Sequence, residues 1–167
     1  MKIIRFKPFT FSLLICFLLF TGMQCKKTTD TNKQEVLPTE TQTGAGTFGC
    51  LVNGQVWLPK GKFPYSGLTA NIQFNILSIG ASKSTEAIGL GVRNVLDVGT
   101  YDLSLAENET EYIIDSQIYK RTEGFLTITK YDKSNQIISG RFWFSAKNST
   151  GETVAITDGR FDIKYTN

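Results

Sequence analysis

The sequence predicts an all-β fold: an antiparallel β-sandwich of about eight or nine strands, with a closed or partly open β-barrel as the alternative. Three observations predict it. From Phe48 to the C-terminus, apolar and polar residues alternate in short runs with period two, as strands do when one face is buried and the other solvated. Turn chemistry breaks those runs at short intervals, as at Asn53-Gly54, Asp132-Lys133-Ser134-Asn135 and Asn148-Ser149-Thr150-Gly151, which is the punctuation of sandwiches and barrels. No window long enough for a helix carries a 3.6-residue apolar stripe.

The elements follow in order. Phe48 to Val52, then Asn53-Gly54, then Gln55 to Leu58 reads as a hairpin, because Asn-Gly is the strongest two-residue signal for a turn needing positive φ at both positions. Pro59 and Pro64 break the chain into a loop. Ala70 to Ile79 places Ile72, Phe74 and Ile76 on one side, before Leu77 shifts the phase. Ile88, Leu90 and Val92 alternate with Gly89 and Gly91, and Tyr101, Leu103 and Leu105 alternate after Gly99. In the C-terminal third, Leu126 and Ile128 share a face. Ile138, Gly140, Phe142 and Phe144 share another, with Arg141 and Trp143 opposite. Val154, Ile156, Phe161, Ile163 and Tyr165 complete the pattern.

The first 24 residues read as a lipoprotein signal peptide. Lys2, Arg5 and Lys7 precede the apolar run Phe9 to Phe20, and a polar Thr21-Gly22-Met23-Gln24 leads to Cys25. About a dozen apolar residues is signal-peptide length, whereas a spanning helix needs about 20. Cys25 stands where a lipoprotein signal peptidase cuts, so it is the expected lipidation site, although Gln24 occupies a place usually held by a small residue. Two or more acyl chains give a stable anchor where one does not. Residues 25–47, rich in Thr, Gln, Lys and Glu, then read as a flexible tether, and residues 48–167 as the β domain. The expected location is the cell envelope, anchored by lipid at the outer membrane, with the leaflet left open.

Charge follows the same division. The formal charge is +3, from 18 Lys and Arg against 15 Asp and Glu. Three of the cations belong to the leader, so the remainder is neutral. A neutral domain gives no support to nucleic-acid binding, which requires a basic stripe. The leader takes Cys16 and the anchor takes Cys25, leaving Cys50 without a disulfide partner.

Several chemistries are missing from the residues. The chain contains no His, which removes Ser-His-Asp and Cys-His nucleophile systems and His-based zinc sites. Gly89 and Gly91 lie inside a strand pattern and make no phosphate cradle. Glu107, Glu109, Glu111 and Asp115 lack the spacing of a calcium loop and read as a solvated connection. No catalytic residue, metal ligand or cofactor site is expected, and the protein reads as a non-enzyme. The aromatic residues that could stack on a ligand are Trp57 and Trp143, Trp143 because it is out of phase with Phe142 and Phe144. Three functions follow: a non-enzymatic binding or scaffold domain with an unknown protein or glycan partner, a carbohydrate-binding module in glycan uptake, and a small carboxylate-based glycosidase.

Separated motifs carry a family resemblance. Gly46-Thr47-Phe48-Gly49-Cys50-Leu51-Val52-Asn53-Gly54 with Trp57, Ile138-Ser139-Gly140-Arg141-Phe142, and Thr157-Asp158-Gly159-Arg160-Phe161-Asp162 together resemble a group of Bacteroidota exported lipoproteins of unknown function. The resemblance implies an exported β domain and brings no catalytic or ligand residues with it. The repeated Gly-Arg-Phe phrases predict positions where backbones approach closely or bulge while the following Phe enters the core.

Overall fold

Turn residues divide the chain into ten strands in a computed structural model that describes residues 35–61 and 67–167. The leader, Cys25 and the first part of the expected tether lie outside those residues, as do Pro64 and Tyr65. The strands are β1 (Thr47–Val52), β2 (Gln55–Trp57), β3 (Leu68–Gln73), β4 (Ile76–Lys83), β5 (Glu86–Val92), β6 (Gly99–Asp102), β7 (Glu109–Ile114), β8 (Gln117–Asp132), β9 (Ile137–Lys147) and β10 (Thr153–Lys164). No helix forms among the described residues.

All ten strands join one antiparallel sheet. Nine follow the path β2-β1-β10-β9-β8-β7-β5-β4-β3, and β6 pairs with β8 beside β7. The sheet curls strongly into a half-barrel. Chain segments that follow β10 and β2 bond to the β3–β4 side of the sheet. After β10, Thr166 accepts the Ile72 N–H at 2.8 Å and donates to Ala70 O at 3.0 Å, and after β2 Lys60 donates to Ser82 O at 2.9 Å. The all-β antiparallel class expected from the sequence is what forms, as one continuous sheet folded over its own core.

Period-two alternation fixes which side chains enter that core. Leu126, Ile128, Ile138, Phe142, Phe144, Ile156, Phe161 and Ile163 are all buried, and each large apolar side chain sealed this way contributes roughly 1.5–3 kcal/mol. Phe48 meets Trp57 edge-on, with centroids 6.1 Å apart at 77°, the arrangement the ring quadrupoles favour.

The two Gly-Arg-Phe phrases interlock. In the β9–β10 register Gly140 faces Phe161, Arg141 faces Arg160, and Phe142 faces Gly159. Each glycine makes room for the opposite ring: a Cβ on Gly140 would lie 2.7 Å from Phe161 Cζ, and one on Gly159 2.6 Å from Phe142 Cζ. The register shifts between Ile156 and Gly159, so the expected bulge is present next to this interlock.

Three local expectations change. Ala70 to Ile79 is two strands, because Phe74 and Asn75 form a turn with φ of 52° and 61°. The phase shift at Leu77 was that turn, hidden because it contains no glycine. Glu109 and Glu111 belong to strand β7, where they alternate with the buried Thr110 and Tyr112. The expected flexible tether up to residue 47 is also corrected for its second half. Glu35 belongs to the same compact unit as the sheet, and residues 41–45 are held to β10 by the Asp162 carboxylate, a long-range partner that local composition does not reveal.

Candidate functional site

The surface that combines exposed aromatic and charged groups is the outer face of β8, β9 and β10. Alternation along β9 sends Arg141 and Trp143 outward while Phe142 and Phe144 go inward. Register then chooses their neighbours. Trp143 pairs across to Phe125 of β8, and Arg141 pairs with Thr127 on one side and Arg160 on the other. Phe125 and Trp143 are 41% and 39% exposed, with centroids 5.9 Å apart at 54°. Beside them lies a depression of about 360 Å³ bordered by Glu40, Arg141, Asp158 and Arg160.

A strap formed by residues 35–46 runs along this face. Glu40 Oε2 accepts from Arg141 Nε at 2.8 Å and Nη2 at 2.6 Å. Arg160 is held less tightly: its Nε donates to Asp158 O at 3.3 Å and its Nη1 to Pro38 O at 3.5 Å. Further along, Glu35 pairs with Lys60.

The strap is fastened at Asp162, which is 1% exposed. Its Oδ1 accepts Gly44 N–H at 2.8 Å and Ser139 Oγ–H at 2.8 Å. Its Oδ2 accepts Thr41 Oγ–H at 2.5 Å, Thr43 N–H at 3.0 Å and Ala45 N–H at 3.1 Å. Successive N–H groups converging on one carboxylate form an anion-holding concavity. Burial pushes the Asp162 pKa up, but the bonds from Thr41, Thr43, Ala45 and Ser139 outweigh it and hold the carboxyl far below the usual range.

Trp57 has a different role from the one its residue type suggested. It is 2% exposed, and its Nε1 donates to Glu86 Oε2 at 2.8 Å, an oxygen that also accepts from Tyr112 OH at 2.8 Å. The indole ring therefore links β2 to β5 and β7 across the interior and offers no face to a ligand. Trp57 leaves the candidate surface, and Phe125, which sequence reasoning did not single out, joins Trp143 on it. Arg160 and Asp162 stood in a quoted motif, but their partners Arg141 and Ser139 become visible only once β9 and β10 are in register. Cys25 lies outside the described residues.

Among the described residues, fold and surface together define a class: a curled antiparallel β domain with a sealed core and an outer face that carries two half-exposed aromatic rings, the exposed Arg141 and the half-buried Arg160. The chain belongs to a family whose model, described as a domain of unknown function (DUF6252), matches residues 50–162. That match runs from within β1 to within β10. No curated protein and no solved structure matches the chain. The expectation of an uncharacterised family thus holds at that level.

Proposed function

We propose that the protein is a non-enzymatic binding domain of the cell envelope, carried on acyl chains at Cys25, and that it engages its partner with the outer face of β8–β10. The observation that carries this reading is the Phe125–Trp143 pair. Two large rings left open side by side cost burial energy that an isolated domain would recover by covering them, and such exposure marks a contact surface. The anchor reading rests on the cationic start, the short apolar run and the position of Cys25.

A carbohydrate-binding module is the second reading, and one observation favours it. Trp143 stands beside Arg141, Arg160 and Asp158 around an open depression, pairing an aromatic platform with groups that hydrogen-bond hydroxyls. Glycan-affinity electrophoresis of the purified full chain tests both readings. The module reading expects retention that Trp143→Ala removes. Turnover of a glycan that is lost on changing a single carboxylate would replace binding with catalysis. Labelling with a radioactive fatty acid, lost in Cys25→Ala, tests the anchor.

A further inference from the structure

The interlocked Gly-Arg-Phe phrases fix the register of β9 and β10 through their glycines and phenylalanines. They do not dictate what stands between them. At that central position both strands carry Arg, so Arg141 and Arg160 are direct cross-strand neighbours on the outer face. Like charges placed opposite each other weaken a sheet, and any neutral residue would relieve the repulsion without disturbing the interlock. Among the described residues one carboxylate, Glu40, reaches the pair, and it takes Arg141 alone. Asp158 borders the same depression, but Arg160 donates to its backbone carbonyl rather than to its carboxylate. The Arg160 guanidinium is left with two long bonds to carbonyl oxygens, although its planar fork is suited to a carboxylate.

The half-exposed Trp143 lies two residues beyond Arg141 on the outer face of β9, paired with the half-exposed Phe125 of β8. An aromatic face accepts the C–H side of a pyranose ring, while the neighbouring arginines accept an anion.

We infer that this face binds a polysaccharide bearing carboxylates, a polyuronate, with a sugar ring packed on Trp143 and its carboxylate taken by Arg160. Glu40 is the internal counterpart of that carboxylate, holding Arg141 until a second acid group on the ligand competes for it. This rests on the glycan-binding reading of the same surface and specifies its ligand class.

The test is affinity electrophoresis and calorimetry of the full chain against polygalacturonate, alginate and hyaluronan. Fully methyl-esterified polygalacturonate serves as the same backbone with its charge removed. At least one uronate polymer is expected to bind, and for polygalacturonate the ester form binds at least ten-fold more weakly. Arg160→Gln and Trp143→Ala each weaken binding at least ten-fold with unchanged thermal midpoints, and Glu40→Gln strengthens it several-fold. Equal binding of acid and ester forms would overturn the acid specificity while leaving the glycan reading intact. Binding that is insensitive to Trp143→Ala and Arg160→Gln would show adsorption of a polyanion elsewhere and overturn the site. No binding to any polymer, neutral glucans included, would overturn both.

Discussion

Gly140 of β9 lies directly opposite Phe161 of β10, and a methyl group on Gly140 would sit 2.3 Å from Thr127 O as well as 2.7 Å from the Phe161 ring. The carbonyl is backbone and cannot swing aside. Gly140→Ala is therefore expected to destabilise the domain by about 2–3 kcal/mol, in the range of core overpacking, as read by urea unfolding. Loss of less than about 0.5 kcal/mol would show that β8 and β10 can part locally and that the interlock is not rigid.

Asp162→Asn replaces one acceptor oxygen with a donor in a pocket already crowded with donors. The expected cost is roughly 3 kcal/mol, as for orphaned partners of a buried charge, with faster proteolysis of residues 35–46. The pH dependence has a definite sign. The folded-state pKa lies below the unfolded value of about 3.9, so the contribution of Asp162 is fully present above that value. It declines as pH falls further and is gone once pH passes through the depressed folded value. Wild-type stability should fall as pH drops below about 4, and the Asn variant should lose much of that slope.

Phe74 is 87% exposed with φ of 52°, a conformation that costs a bulky residue about 1 kcal/mol. Nothing in the sheet is gained by it. Phe74→Asn suits the same turn and should stabilise the domain by about 0.5–1 kcal/mol, raising the thermal midpoint by a few degrees. An unchanged or lowered midpoint would mean that the ring stabilises the hairpin through contacts of its own.

Burial, with the Glu86 carboxylate acting the same way, pushes the Cys50 thiol up to about 12. In a Cys16→Ser, Cys25→Ser chain, Cys50 is the single thiol and should resist Ellman's reagent at pH 8 until denaturant is added. Rapid labelling of the native chain would show that β1 and β2 open readily.

The sheet was legible wherever its rules are local. Asn53-Gly54 turns with positive φ at both positions, and the inward and outward faces of β9 follow strict alternation. Phe74-Asn75 was missed because its turn uses a residue type that ordinarily avoids that conformation. Trp57 and the strap were missed for a different reason: their partners, Glu86 and Asp162, are distant in sequence, and hydrogen bonds of that kind leave no periodicity behind. Trp143 was legible as outward-facing, but its companion Phe125 required the β8–β9 register, which shifts twice along its length.

The order of contacts along the strap has a mechanical consequence. Tension applied to the chain before Glu35 meets the Lys60 ion pair first, then the Arg160 and Arg141 bonds to Pro38 and Glu40, and only then the fastening at Asp162. The outer contacts yield one at a time, like a seam being unpicked. The last one grips through several bonds to one carboxylate that must fail nearly together. A pull on the N-terminal side would thus be absorbed in steps, first beside the end of β2, and halted at β10, a strand paired on both sides within the sheet.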